Sequence, residues 1–257
     1  SGTSSNTICS VATEETLYHM PQSFLQLQGV FFRYERATEP ILADVSAFFP
    51  PGWTGVVGGN GVGKSTMVNS IMGMVKAKSG RVEAMGVDIS GWPTHKIAKQ
   101  GVQVVPQGRR LFPSLTVNEH LEMAARLGKG VKKPTWAYER FPALAERSTS
   151  FSRTLSGGEQ SQLAISRAVL ANPEVILMDE PTEGLSPIIV EEVGKIIREL
   201  VSDGVTVLLV EQNLHFALDM CTQLAVMSRG AIAYQEEVAG RSPEHFLTVF
   251  MGKGKGE

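Results

Sequence analysis

Long apolar runs are missing from this chain of 257 residues. No stretch approaches the roughly 20 apolar residues that a membrane helix needs. The chain is therefore expected to be soluble and to reach a membrane only through partners. Cysteine is scarce: Cys9 and Cys221 make no disulfide framework, and a reducing compartment is the simpler assumption. Basic charge is not in excess, with 24 Lys and Arg against 26 Asp and Glu, so no nucleic-acid footprint is expected. No basic segment followed by an apolar one opens the chain, and no secretory signal is expected. There is no internal repeat. Low complexity is confined to Gly252-Lys253-Gly254-Lys255-Gly256.

What is present is a globular composition. A hydrophobic content of 42% excludes disorder of the whole chain, and the length suits one α/β domain carrying an insertion. Residues 1–22, rich in Ser and Thr, are expected to form a mobile tail, residues 23–250 the domain, and residues 251–257 a flexible end. Phe24–Leu27 and Val30–Phe32 alternate like half-exposed strands, and Pro50-Pro51-Gly52 marks a turn. Thr54–Val57 reads as a buried strand, followed by a helix from Lys64 to about Met74; Val102–Val105 is another strand. Between about 108 and 168 the character is helical and more polar, broken by Pro113, Gly128, Gly130, Pro134 and Pro142, and reads as an inserted helical subdomain. Strand Val175–Met178, helix Ile188–Val201, strand Val205–Val210 and helix Leu214–Met220 follow. Ile189, Val193, Ile196, Ile197 and Leu200 recur at helical spacing and predict a core-facing stripe. Short buried strands alternating with helices predict a largely parallel sheet, with the opening strands as an antiparallel layer.

The loop Gly58-Gly59-Asn60-Gly61-Val62-Gly63-Lys64-Ser65 fits G-x-x-x-x-G-K-[ST] and continues into Thr66. Its glycines let successive backbone N–H groups converge on phosphate oxygens where a Cβ would intrude. The helix starting near Lys64 points its positive end at the anion. Lys64 would place a charge on the β- and γ-phosphates, and the Ser65 hydroxyl would ligate Mg²⁺. An ordinary glycine-rich strand-to-helix turn is the bland alternative. Val175–Glu180 sets two carboxylates at the end of a buried strand: Asp179 to orient the Mg²⁺ shell, Glu180 to accept a proton from, or polarise, an attacking water. A helix N-cap pair is the alternative there. Ser156-Gly157-Gly158-Glu159 has the spacing of a capping box.

A phosphate loop, then Leu155-Ser156-Gly157-Gly158-Glu159-Gln160, then the Asp179-Glu180 strand end resembles the ATPase subunits of ABC transporters, over about Phe24 to Tyr234. The resemblance implies the P-loop NTPase fold of the ABC ATPases: an α/β fold with a RecA-like, mostly parallel core, an antiparallel β layer and the inserted helical subdomain. It implies ATP and Mg²⁺ as ligands, with Ser65, Gln107 and Asp179 on the metal. Gln107 matches the family's Q-loop, a Mg²⁺ contact that also senses the membrane partner; a surface turn glutamine is the alternative. Ser156, Gly157, Gly158 and Glu159 match the signature that closes on ATP held by an opposite subunit. Tyr34 stands where the family places an aromatic on adenine, with Phe32 as the alternative stacker. Pro181–Ser186 matches the D-loop, with Ser186 where many relatives have Asp.

Most of the family has a His after the Val205–Val210 strand; this chain has Gln212 in Val210-Glu211-Gln212-Asn213. His215, three residues on, reads as a surface or packing residue. Glutamine donates from its amide but does not titrate near neutral pH, so the expected catalytic pair is Glu180 with Gln212, turning over slowly or depending on a partner.

Glu211-Gln212-Asn213, Gln107–Pro113 and Glu183–Pro187 are similar to the smaller ATPase of branched-chain amino acid importers and of the related urea importers, Asp179–Gly184 leaning to the urea type. That branch implies a second ABC ATPase subunit as a heterodimer partner (a homodimer being the alternative), transmembrane permease subunits, an indirect periplasmic solute-binding protein, and a peripheral place on the cytoplasmic face of the membrane. The competing readings are a soluble ABC ATPase outside transport and an ATP-binding regulatory subunit with little turnover. Export rather than import also stays open, since direction is not written in the ATPase.

Overall fold

The computed structural model describes residues 23–250. The expected tails at 1–22 and 251–257, with Cys9, lie outside the described residues. Two sheets organise the rest. The first contains β1 (Leu25–Phe32), β2 (Leu42–Phe49), β4 (Ser79–Ala84) and β5 (Val87–Asp88) in the order β2-β1-β4-β5, antiparallel throughout. The second contains β3 (Trp53–Val57), β6 (Val102–Val105), β7 (Val175–Asp179), β8 (Thr206–Glu211), β9 (Gln223–Ser228) and β10 (Ala231–Glu237). Its order is β10-β9-β3-β8-β7-β6, and every pairing but β10–β9 is parallel. The predicted mostly parallel core with an antiparallel layer is what forms.

The helices are α1 (Lys64–Ile71), α2 (Thr94–Lys99), α3 (Val117–Leu127), α4 (Thr135–Arg140), α5 (Pro142–Glu146), α6 (Gly157–Leu170), α7 (Pro187–Ser202), α8 (Leu214–Met220) and α9 (Pro243–Phe250). Start signals explain several of them. Thr116 and Glu119 cap α3 reciprocally, Ser156 and Glu159 cap α6 in the same way, and Pro187 opens α7, where its missing N–H costs nothing. Helix α1 ends at Ile71, short of the expected Met74, because Gly73 turns left-handed at φ +64°. Phe24–Leu27 and Val30–Phe32 belong to one strand, not two. Gly29 at φ +61° makes a register shift between them, and most of β1 is buried rather than half exposed.

The central strands are buried throughout, and their side chains divide between two cores at the two-residue period. Ile176, Met178, Val207 and Leu209 face a core shared with α3, α5, α6 and α7. Val175, Leu177, Leu208 and Val210 face the opposite core, built with α1 and the antiparallel sheet. Truncating one of these, such as Leu208 to Ala, costs about 2–5 kcal/mol. On α7 the predicted stripe is buried at Val193, Ile196, Ile197 and Leu200, with Ile189 half-buried at its start. The helices of the 108–168 region share their apolar cluster with the central sheet: Val117, Leu121, Phe141 and Leu144 belong to the same core as Ile176 and Leu209. Among the described residues no helix is long and apolar enough to cross a membrane.

Candidate functional site

Four neighbouring parallel strands, β3, β8, β7 and β6, end at one rim of the sheet. Each delivers one part of a site just beyond its carboxyl end: the glycine loop after β3, Gln212 after β8, Glu180 after β7 and Gln107 two residues after β6. Ligands of open α/β sheets bind at this rim. The parts line a cavity of about 400 Å³ together with Tyr34, Ile41, Asn60, Gly61, Gly63, Ser65, Thr66 and Glu183.

The loop is shaped by close approaches. A Cβ on Gly58 would lie 2.5 Å from the carbonyl oxygen of Met227, and Gly63, at φ +110°, would bring one to 2.6 Å from that of Ile41. Both positions demand glycine. Lys64 is buried and donates from Nζ to the carbonyls of Gly58 (2.8 Å) and Gly59 (3.1 Å), with Glu180 Oε1 3.7 Å away. Val62 is half-buried and packs against the core, and it does not line the cavity.

The two carboxylates at the end of β7 are held differently. Asp179 accepts from the Ser65 hydroxyl at 3.1 Å. Burial lifts its carboxyl above the usual range, and the neighbouring Glu180 adds to the lift, while the Ser65 hydrogen bond, Lys64 and Arg110 oppose it. Glu180 is buried and adopts φ +51°, a left-handed conformation that costs a non-glycine residue about 1–3 kcal/mol and marks functional turns. Its Oε2 accepts from Gln107 Nε2 at 2.9 Å and its Oε1 from Gln212 Nε2 at 2.7 Å. One carboxylate is thus held by amides from the ends of the two flanking strands. Gln107 also donates to Glu183 at 3.2 Å, so its amide faces the acidic loop and not the Ser65–Asp179 pair.

Ser65 and Asp179 form a hydroxyl–carboxylate pair of hard oxygen donors, the chemistry Mg²⁺ takes alongside water and phosphate oxygens. Tyr34 is exposed at the cavity mouth and meets Phe32 edge-on at 4.8 Å; Phe32 itself is buried, which leaves the tyrosine ring as the accessible face. His215 is exposed on α8.

Ser156, Gly157, Gly158 and Glu159 are not brought to this cavity. Ser156 accepts from the Glu159 N–H (3.4 Å) while Glu159 Oε2 accepts from the Ser156 N–H (2.7 Å), which forms the capping box and leaves Ser156 and Gly157 exposed at the start of α6.

Further contacts stood outside the sequence reading. Thr182 donates to the buried Glu211 carboxylate at 2.7 Å, which ties the loop after β7 to the residue before Gln212. Asn213 caps α8 by accepting from the Phe216 N–H at 3.1 Å, a role its position before a helix signals. Arg109 donates from Nε to Ser161 at 2.8 Å.

The pattern of the ABC transporter family matches residues 42–183, more than half of the chain. The high-affinity branched-chain amino acid transport ATP-binding protein BraG of Pseudomonas aeruginosa is 40% identical over 70% of this chain and 79% of its own. The lipopolysaccharide export system ATP-binding protein LptB of Haemophilus influenzae is 34% identical over 75% of this chain and 80% of its own. The probable branched-chain amino acid transport ATP-binding protein LivF of Archaeoglobus fulgidus is 38% identical over 70% and 78%. Among solved structures, the ADP conformation of an ATP-binding cassette of an ABC transporter superposes with a TM-score of 0.71 at 26% identity, over 90% of this chain and 96% of that one. A dimeric post-hydrolysis cassette bound to ADP and Pi reaches 0.77 at 24% identity, over 84% and 100%, and shares the fold.

Proposed function

The chain belongs to the ABC transporter family of ATP-binding subunits, and from that premise we propose that it hydrolyses ATP to power a membrane importer for branched-chain amino acids. The observation that carries the hydrolytic reading is the grip on Glu180. A buried carboxylate is held by Gln107 and Gln212 on the rim that also carries the phosphate loop. Orientation and electrostatics do most of the work in phosphoryl transfer. Lys64, now bonded to its own loop carbonyls, is the charge that phosphate oxygens would draw out. Ser65 and Asp179 would hold Mg²⁺, which when bound neutralises developing phosphate charge. Gln107 spends its amide N–H groups on Glu180 and Glu183, and its Oε1 would be the atom it could offer to that metal. Glu180 polarises the attacking water, Gln212 fixes its carboxylate, and Tyr34 supplies an adenine-stacking surface.

The signature turn presents Ser156 and Gly157 to solvent and lies away from the chain's own cavity, which supports a head-to-tail dimer in which it completes the partner's site. The similarity to BraG and LivF supports amino-acid import, transmembrane permease subunits as partners and a place on the cytoplasmic face; a second, different ATPase fits the unusual Gln212. The similarity to LptB favours export as the second reading, and urea import rests on the segments similar to both importer types together with the wording of Asp179–Gly184.

Vesicles reconstituted with the chain, its second ATPase, its permease subunits and the solute-binding protein separate these readings. ATP-dependent accumulation of labelled leucine on the chain's side, lost with Glu180→Gln, is the expected result. Outward movement, or accumulation of urea only, would replace the solute assignment.

A further inference from the structure

The segment after Gln107 is bent in an unusual way. Gly108, Arg109 and Arg110 follow one another at φ +74°, +66° and +38°. Two successive non-glycine residues in the left-handed region are costly and persist only where surrounding contacts impose them. Backbone bonds from the N–H of Arg109 to the Pro106 carbonyl and of Arg110 to the Gly108 carbonyl hold the run, and the Arg109 side chain anchors it to α6. Its Nε donates to Ser161 Oγ at 2.8 Å, and Ser161 Oγ donates in turn to the carbonyl of Gly157 at 3.2 Å. The two terminal guanidinium nitrogens stand where they would be 3.2 Å from a Cβ on Gly157. The guanidinium therefore rests on the first turn of α6, in space left by a glycine.

A second route runs from the Phe112 carbonyl, which accepts from Ser152 Oγ at 2.8 Å, to Gln160, whose Nε2 donates to the carbonyls of Ser152 (3.3 Å) and Leu155 (3.2 Å). Helix α6 also packs on the core shared with β6 and β7. The Arg109 contact is the one that meets the glycine of the turn itself. A cavity of about 310 Å³, lined by Gly108, Arg109, Ser161, Glu180 and Glu183 among others, separates the Glu180 loop from α6. A further polar tie, Arg167 Nη1 to the Arg110 carbonyl at 3.4 Å, lies ten residues further along the helix. That is about 15 Å from its start. Two residues before Arg109, Gln107 holds Glu180.

We propose that Arg109 is a positioning residue that couples the chain's own nucleotide site to the signature turn it presents to a second subunit, through Gln107–Gly108–Arg109–Ser161–Gly157. This rests on the ATPase reading above. When nucleotide binding shifts Gln107, the strained run behind it would move, and the rigid, forked guanidinium would carry that movement to the Ser156–Gly158 turn. A flexible lysine ammonium would not hold both the Ser161 hydroxyl and the glycine face.

Hydrogen exchange of the full-length chain with Glu180 intact, with and without Mg²⁺ and a non-hydrolysable ATP analogue, tests this. Binding is expected to change exchange about fivefold, the size one side-chain hydrogen bond carries, both at 107–112 and at 156–162. With Arg109→Lys or Ser161→Ala, ATP affinity and the change at 107–112 are retained and the change at 156–162 is lost. The double variant is no worse than either single one, because both act through one contact. A ligand-dependent change at 156–162 that survives in both single variants overturns the proposal. No ATP binding in the parent protein would instead overturn the ATPase reading, so the two failures are distinct. A melting curve for each variant excludes loss of fold as the cause.

Discussion

The Gln212 side-chain amide donates to Glu180 Oε1 at 2.7 Å, from a position where the family resemblance leads one to expect a histidine. The residue differs, but a donor at the carboxylate is kept. What the substitution removes is titration, since an amide keeps one protonation state across neutral pH.

Gln212→Ala is therefore expected to lower kcat about tenfold with little change in KM, because it removes a donor that orients the carboxylate proposed to polarise water and not the nucleotide. Gln212→His should restore turnover with a new pH dependence centred near 6.5, the ordinary histidine value, which the parent lacks. Steady-state rates from pH 5.5 to 8.5 for the three proteins check this; an identical profile in parent and His variant would contradict it.

Lys64→Ala should act on binding. Charge-assisted contacts to phosphate are worth roughly 10- to 100-fold in affinity, and fluorescence titration with a labelled ATP analogue would read the loss. Unchanged affinity would remove Lys64 from the phosphate site.

Glu211 makes a pH-dependent contribution to stability. Burial lifts its carboxyl above the usual range and nearby Glu180 adds to this, while hydrogen bonds from Thr182 and the Gln212 N–H oppose it. A carboxyl raised in the folded state stabilises it at acid pH and loses that contribution as pH rises through the folded pKa. Glu211→Gln is expected to melt no lower than the parent at pH 7.5, and the parent to gain on it as pH falls toward 5. A lower melting temperature for the variant at pH 7.5 than at pH 5, relative to the parent, would reverse the sign.

Gly58→Ala places a methyl 2.5 Å from the Met227 carbonyl, a backbone atom that cannot step aside. Overpacking of this kind costs about 1–3 kcal/mol, which lowers Tm by several degrees at this chain length. Calorimetry gives the answer directly; a Tm equal to the parent's would show that the loop shifts freely.

The site was legible in the sequence where chemistry is local. The phosphate loop, the Asp179-Glu180 strand end and the Ser156–Glu159 capping box each state their geometry within a few residues. Strand β4 escaped because only Val82 and Ala84 of its six residues are buried, and β10 because none of its residues is fully buried, so neither shows a clear alternation. The grip of Gln107 and Gln212 on Glu180, and of Arg109 on Ser161, joins residues 73, 32 and 52 positions apart. Only the parallel order of β6, β7 and β8 brings the first three together, and a periodic pattern carries no such information.

Mg²⁺-dependent ATPase activity, measured on the purified chain and on Glu180→Gln with ATP binding followed in parallel, tests the central claim most directly. Turnover that falls about 100-fold or more in the variant while binding is retained is the predicted result. Equal turnover in both proteins would contradict the assignment of Glu180 and, with it, the reading of this rim as a hydrolytic site.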